Sequence, residues 1–545
     1  MKNLNSFIFF LILTLHLAAQ TPGQVLDLIP GTTSTFNDVQ DELKIGVGNR
    51  VLFVVYRQFK YELWSSDGSE AGTTMLMVGT NGEDYPVFLP YDSKQVLFVA
   101  DRNNGSRTGG ELWLTDGTAA NTRKLFSSAS KPIRKVVVHQ GQVYYVSASA
   151  SEFYEQTELW KYDPVTQSNQ MLGRYKGPDG ILDLVSFSNQ LLLLAQSKDS
   201  TYQLLKSDGT VAGTKAYHTL KNDGALGDYP FMTVAGQRAF FFFHGFNQDQ
   251  LYSTDGTAEG TIRLAAYEPV NAGEIPRKKR ALIGWQNLFF YPACKLGTSF
   301  CTYFDFFVSD GTVAGTKQID FNDRYNEDVN YLAPYKGKLF MHTSRPSVVL
   351  ATDGTLAGTT YPIVDNRMTS DFYGGEYLTL LQDSLYYSGY SAEGGNELYR
   401  SNGTAAGTRF IDVIPGSTSG EPEQLTAASN RLFFTANSKT AGRELWVYET
   451  SKAITSVRTP TELLVALNLW PNPASSSLQI RAESPEPLRR LIIYNALGQQ
   501  QYQRSLEGNF FAESIDLAAW PAGLYTLELW SARGSRKLVK WSKIN

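Results

Sequence analysis

The chain has 545 residues, 42% of them hydrophobic and 13% aromatic, with 46 glycines and a formal net charge of −4. That length and apolarity suit several cores or one large repeat array, and the glycine count suits a turn-rich β protein. The slightly acidic balance carries no basic stripe and excludes nucleic acid or an anionic membrane as a partner class, because the one short basic run, Arg277-Lys278-Lys279-Arg280, reads as a solvated turn.

At the amino terminus, Lys2 gives a positive start, Phe7 to Leu17 is an apolar run, and Leu17-Ala18-Ala19 offers a small-residue cut. Residues 1–19 therefore read as a Sec-type signal peptide, too short to span a bilayer. No cysteine stands near the cut, which argues against a lipoprotein anchor, and no later segment has the length and apolarity of a membrane helix. The first mature strand is Val25-Leu26-Asp27-Leu28-Ile29-Pro30-Gly31.

One phrase then recurs nine times, most cleanly as Glu111-Leu112-Trp113-Leu114-Thr115-Asp116-Gly117-Thr118. Its marker residue falls at Asp67, Asp116, Asp163, Asp208, Asp255, Asp310, Asp353, Asn402 and Glu449, in steps of 49, 47, 45, 47, 55, 43, 49 and 47 residues. Such a period means one small structural unit copied about an axis. Within most units a dense apolar run comes first, such as Val51 to Tyr56, Val96 to Ala100 or Ala239 to Phe243. Short runs of this kind, bounded by turn residues, read as buried strands. The Glu-Leu-Trp strand follows. Then Asp-Gly-Thr opens a tight connection closed by Ala-Gly-Thr, as in Asp208 to Thr214 and Asp310 to Thr316, and a last strand completes the unit. With a weaker strand before the apolar run, this makes four strands in about 47 residues, the size of a propeller blade.

The turn has a mechanism: Asp accepts from backbone amides just ahead, Gly supplies positive φ, and the Thr hydroxyl closes the bend. Asp67, Asp116, Asp208, Asp255, Asp310, Asp353 and Asn402 are accordingly assigned a structural role in these turns. The third unit departs from the pattern with Asp163-Pro164-Val165-Thr166. Cys294 and Cys301 are the two cysteines; in an exported chain they read as a hairpin disulfide, since no histidine or third cysteine is near enough in sequence to build a zinc site.

The unit ending at Glu444-Leu445-Trp446 has no Ala-Gly-Thr strand after it, while Val25 to Gly31 matches Phe410-Ile411-Asp412-Val413-Ile414-Pro415-Gly416 of the eighth unit. The amino-terminal strand is therefore expected to complete the ninth blade and to close a ring, which hides sheet edges. The expected fold is all-β: a propeller of about nine four-stranded blades over residues 20–450, with eight blades as the alternative. A linker over residues 451–464 and a small β-sandwich over residues 465–545 follow. The sandwich is read from Leu478-Gln479-Ile480, Leu491-Ile492-Ile493-Tyr494, Ala522-Gly523-Leu524-Tyr525 and Lys537-Leu538-Val539-Lys540, short apolar strands separated by turn residues.

Residues 25 to 450 resemble the bacterial family of Glu-Leu-Trp-x-x-Asp-Gly-Thr repeat proteins, also called hyalin-like, most closely at the Asp208, Asp310 and Asp353 turns. The tail, with Leu469-Trp470-Pro471-Asn472-Pro473-Ala474 and Asn495-Ala496-Leu497-Gly498-Gln499, resembles the C-terminal sorting domain of the type IX secretion system of Bacteroidetes. That resemblance implies the type IX machinery as a partner, passage through the periplasm and across the outer membrane, and release from the cell or attachment to its surface.

The search for chemistry yields no catalytic, cofactor or metal residue. His139, His218, His244 and His342 fall in different units without a shared motif, and no Gly-x-Ser-x-Gly or His-Glu-x-x-His occurs. Each turn supplies one carboxylate where a calcium loop needs several, so the structural reading is preferred to calcium. Trp64, Trp113, Trp160, Tyr252, Tyr399 and Trp446 recur at one place in the unit, which argues for packing before sugar stacking. What varies between units is the stretch before each signature strand, at Arg102 to Gly110, Ser149 to Thr157 and Ser391 to Asn396. These stretches are the expected contact surface of a secreted or surface-attached protein that binds an extracellular glycan or protein. The alternatives are a propeller enzyme acting on polysaccharide, as hydrolase or lyase, and a purely structural surface protein.

Overall fold

The computed structural model describes residues 22–26, 36, 42–57, 60–79, 86–100, 110–128, 132–148, 156–176, 180–196, 201–220, 231–243, 248–268, 282–294, 305–319, 327–345, 347–355, 357–364, 377–391, 395–414, 419–438, 442–450, 466–485, 487–495, 500–531 and 536–544. Residues 1–19 and the stretch 451–464 lie outside them. The chain divides into two compact units, Met1–Thr450 and Ser451–Asn545. Among the described residues the elements are strands, apart from one 3₁₀ turn at Ala119–Asn121.

In the first unit the described strands form nine four-stranded antiparallel sheets. The first is typical: Glu42–Val47, Arg50–Arg57, Lys60–Ser66 and Thr74–Val78 pair in chain order. The second strand of a sheet is apolar on both faces because both faces are covered; no residue of Val96–Ala100 is more than 3% exposed. Nine hydrophobic clusters join consecutive sheets. Val54, Tyr61 and Leu63 of the first sheet meet Val96 and Phe98 of the second, and the series runs on to Phe433 and Leu445 of the ninth, which meet Val51, Phe53 and Val55 of the first. The sheets therefore form a closed circuit, the propeller arrangement.

The ninth sheet borrows its edge. Glu423–Ala428, Arg431–Ser438 and Gly442–Glu449 are followed by Gly23–Leu26, with Gln24 opposite Trp446 and Leu26 opposite Leu445. A bulge leaves Val25 over. The same bulge recurs on the last strand of other sheets, where Leu172 is left over opposite Leu159 and Trp160, and Leu264 opposite Leu251 and Tyr252. In each case the extra residue is buried in the cluster between sheets. A bulge turns one more side chain inward than a regular edge strand would, and Val25 occupies that place residue for residue.

Neighbouring first strands approach closely. A Cβ at Gly46 would strike the carbonyl oxygen of Ala427 in the ninth sheet, and one at Gly284 would strike that of Val234 in the fifth. Because each sheet is a meander, its connections alternate between two rims. First-to-second and third-to-fourth connections leave one rim, here the turn rim. Second-to-third connections and those to the next sheet leave the other, the loop rim.

The second unit has a three-stranded sheet of Ala466–Trp470, Ser477–Glu483 and Phe510–Asp516, and a four-stranded sheet ordered Gln500–Ser505, Leu488–Asn495, Gly523–Ser531 and Arg536–Lys543. Both sheets contribute to one core, through Leu478, Ile480, Leu491, Ile493, Leu527 and Trp541 among others.

Candidate functional site

Each signature turn is a closed relay of hydrogen bonds. In the fourth sheet, Asp208 Oδ1 accepts from the Thr210 amide at 2.9 Å and from its hydroxyl at 2.7 Å. That hydroxyl accepts from Gly213 N, and the Thr214 hydroxyl donates to the Thr210 carbonyl at 2.6 Å. The Ser207 and Thr214 hydroxyls share a bond of 2.7 Å, and Ser207 accepts from Gly209 N. The Thr214 proton goes to the carbonyl, so Ser207 donates to Thr214. Asp67, Asp255, Asp310, Asp353 and Asn402 accept in the same way from the residue two places on. Asp116 does too, and there Asn121 replaces the closing glycine and donates its own amide to Asp116 Oδ2 at 2.7 Å. In Asp208, Asp255 and Asp353 the threonine hydroxyl is the largest cause holding the carboxyl below its usual range. The third sheet's Asp163 instead accepts from Val165 N and Thr166 N.

Two features of this relay are visible in the chain yet easily passed over. The Ser or Thr before each marker, and the Thr six residues after it, pair in all seven signature turns. The marker glycine also has a second task beyond positive φ. Gly117 lies against Val47 and Arg50 of the preceding sheet, Gly354 against Leu288, and Gly68 against Val447 and Arg431 of the ninth. The repeated turn thus locks each sheet to its neighbour.

The signature strand forms a ladder on one face. Trp64, Trp113 and Trp160 donate Nε1 to Glu62, Glu111 and Glu158, two residues earlier, at 2.9, 3.0 and 3.1 Å. Their rings stack on the cross-strand Phe53, Phe98 and Tyr145, with interplanar angles of 18°, 11° and 6°. Tyr252 and Tyr399 stack likewise on Phe241 and Tyr387. Trp446 is buried in the cluster between the eighth and ninth sheets. Lys124 and Arg174 of the last strands reach Glu111 at 2.8 Å and Glu158 at 3.0 Å. Glu449, the ninth marker, pairs with Arg431 at 3.0 Å.

Toward the loop rim the polar groups are less evenly matched. Asp183 joins three sheets, accepting from Met232 N at 2.9 Å and meeting Lys135 Nζ at 3.2 Å. Glu397 is 1% exposed and accepts from Val413 N and Gly420 N at 2.9 and 2.8 Å. Burial, with Asp412 adding to it, raises its carboxyl to about 7. Burial likewise lowers His342 to about 3. Arg57, Ser147, Gln196 and Asp412 each bury a side-chain atom that no partner meets.

Of the other residues singled out in the sequence, His139 Nδ1 bonds Ser186 Oγ at 2.8 Å, between the third and fourth sheets. His218 is half-buried on a last strand, opposite Leu204. Cys294 is buried and disulfide-bonded. Cys301, His244, Arg277 to Arg280, and most of the three variable stretches lie outside the described residues.

Residues 468–541 match the model of the secretion system C-terminal sorting domain. The protein is a type IX cargo of the cell surface. No curated protein matches the chain. Among solved structures, similarity extends to PorZ, described as a bacterial surface component of the type IX secretion system of Porphyromonas gingivalis, at 10% identity and a TM-score of 0.24, covering 94% of this chain and 87% of that one. It also extends to the β-propeller domain of the Trilobed protease from Pyrococcus furiosus, at 10% identity and a TM-score of 0.32, covering 68% and 97%. A third is the extracellular domain of the putative one-component system BT4673 from B. thetaiotaomicron, at 10% identity and a TM-score of 0.22, covering 94% and 88%.

Proposed function

We propose that this surface protein recognises an extracellular glycan or protein at its loop rim, on a nine-bladed ring of the Glu-Leu-Trp-x-x-Asp-Gly-Thr type. The observation that carries the reading is the division between rims. The turn rim consumes its own donors and acceptors in a repeated relay, and it interlocks neighbouring sheets. The connections that differ between units leave the opposite rim, where a rigid scaffold can present them.

Residues 1–19 serve as the Sec signal, and residues 465–545 form a β-sandwich that addresses the chain to the type IX machinery. Cys294 and Cys301, the two cysteines in the sequence, staple a hairpin. The turn carboxylates are structural rather than calcium ligands. Their Oδ1 atoms are already occupied by two donors each, so a chelator should leave the melting curve unchanged.

Glycan and protein arrays probed with the purified chain, alongside a polysaccharide turnover screen, test the reading. Retention of a defined ligand, lost when loop-rim residues are exchanged and kept when turn-rim residues are, is the expected result. Turnover abolished by changing one carboxylate near the axis would replace recognition by catalysis.

A further inference from the structure

The seven signature turns are not chemically alike. In the eighth sheet the marker is Asn402, followed by Gly403, where the other six carry Asp before Gly. An Asn-Gly pair can rearrange by itself: the glycine nitrogen attacks the asparagine carboxamide, closes a five-membered imide and expels ammonia. Glycine permits this because no Cβ crowds the approach, and this turn demands glycine on its own account. Gly403 has a φ of +89°, and a Cβ on it would come within 3.0 Å of Phe340.

The relay arranges the reacting atoms. Asn402 Oδ1 accepts from the Thr404 amide at 3.1 Å and from the Thr404 hydroxyl at 2.8 Å. Under attack that oxygen becomes an oxyanion, and two preset donors on it are the arrangement that stabilises acyl transfer. On the nucleophile, Gly403 N donates to Ser401 Oγ at 3.0 Å, and the Ser401 hydroxyl bonds that of Thr408 at 2.8 Å. The N–H bond lies in the peptide plane, so Ser401 draws density onto the nitrogen without covering the face that attacks. The leaving group is loose. Asn402 is exposed, and its Nδ2 has no hydrogen bond among the described residues, whereas Asn121 Nδ2 is tied to Asp116 at 2.7 Å.

The same turn restrains the aspartates. A carboxyl must be protonated to lose its oxygen in this reaction, and the threonine hydroxyl holds Asp208, Asp255 and Asp353 ionised below their usual range. A neutral carboxamide has no such protection.

We propose that Asn402 is a self-modification site, converted to aspartate by the Gly403 nitrogen inside its own turn, without an enzyme. The bond from Gly403 N to Asn402 Cγ forms as the Cγ–Nδ2 bond breaks, and Nδ2 leaves as ammonia with the Gly403 amide proton. Water then opens the imide at Cγ, giving aspartate and restoring the N–H. The net change is one water consumed and one ammonia released. The product fits, because the aspartates of the other turns take the same two donors. Opening at the backbone carbonyl would instead add a methylene to the main chain and carry the Thr404 donors out of register. Lys336 of the seventh sheet, 3.5 Å from the Asn402 carbonyl, brings a cation to the turn that gains the charge. This site is at the turn rim and stands apart from recognition at the loop rim.

Two further Asn-Gly pairs, Asn81-Gly82 and Asn104-Gly105, lie outside the described residues and serve as clocks in the same sample. The purified full chain is aged in mildly alkaline buffer, native and in guanidinium chloride, and peptide mapping by mass spectrometry follows each site. Asn402 should convert faster in the native chain than in the denatured one, with aspartate far exceeding isoaspartate. Thr404→Val removes one donor from Oδ1 and should slow Asn402 about tenfold or more while the clocks keep their rates. Thr404→Ser keeps the hydroxyl and should keep the rate. Asn402→Asp should melt no lower than fresh wild type. Conversion no faster in the native chain, a product that is mainly isoaspartate, or an unchanged rate in Thr404→Val overturns the proposal. A lower midpoint for Asn402→Asp overturns the fit of the product.

Discussion

At the turn rim the Asp208 to Thr214 connection gives each hydroxyl one bond to donate and one to accept. At the loop rim Arg57, Ser147, Gln196 and Asp412 each bury an atom that nothing meets, and Glu397 and His342 titrate far from their ordinary ranges. The same strands carry both ends. What differs is repetition: a relay copied seven times can be saturated once and for all, whereas the end that varies carries unmatched groups. Perturbed and unmatched groups concentrate where a protein does something other than hold itself together.

The largest test removes what both rims depend on. Deleting Gly23–Leu26 leaves the ninth sheet with three strands and uncovers the cluster of Phe53, Phe433 and Leu445. The expected loss is about 3 kcal/mol or more, on the scale of a large core truncation. Calorimetry should show the midpoint falling further than for any point substitution described below. A midpoint that does not move would mean that closure of the circuit contributes nothing.

Much of this was legible in the chain. The nine markers correspond to nine sheets, and the match of Val25 to the Phe410 strand corresponds to its pairing opposite Leu445 and Trp446. A repeat announces itself because local turn chemistry must be rewritten in every copy. The hydroxyl relay was only half legible, since the serine or threonine before each marker reads as one more strand residue until its pairing with the threonine six places after the marker is seen. The stacking of Trp64 on Phe53 was hidden because it depends on cross-strand register, which no local pattern states. The loop-rim groups were not legible at all. Glu397 sits at the same place in its repeat as Glu111, and only the backbone of Val413 and Gly420 folding over it sets the two apart.

A second test strains one turn and leaves the loop rim alone. A Cβ on Gly315 would press into the Asp310 carboxylate. Gly315→Ala should therefore cost about 2 kcal/mol, an overpacking penalty. Gly315→Asn should cost less, because Asn121 fills the equivalent place in the second sheet and converts the clash into a hydrogen bond. Urea titrations of the two variants decide this, and an equal penalty would show that the turns are not interchangeable.

The third test belongs to the loop rim. The Glu397 carboxyl stands at about 7, above its ordinary 4.5, so the fold favours the protonated form. Its stabilising contribution is complete below pH 4.5 and is lost as pH rises through 7. His342 works in the opposite direction: held at about 3 against 6.5, it favours the fold above pH 6.5 and withdraws that support as pH falls toward 3. Glu397→Gln should thus flatten the decline in midpoint between pH 5 and 8, whatever constant penalty it adds by losing one amide contact. Parallel curves for wild type and variant across that window would show that the carboxyl titrates normally.

The smallest expected effect probes the relay at a single hydroxyl. Thr312→Val removes the donor to Asp310 Oδ1 and the acceptor of Gly315 N, bonds of 2.7 and 2.9 Å. Thr312 is exposed, so water can replace both partners, and the cost should stay near 1 kcal/mol. Thr312→Ser keeps the hydroxyl, and Ser69 holds the same place in the first sheet with the same bonds to Asp67, so that variant should fall within a few tenths of wild type. If valine and serine proved equally harmless, the relay would be ornament at this position, and the glycine contact between sheets would carry the turn rim by itself. If valine cost several times the expected amount, the three hydroxyls of the turn, Ser309, Thr312 and Thr316, would be acting cooperatively, each polarising the next. A double variant with Ser309→Ala separates the cases, because independent bonds give additive losses and a coupled relay does not.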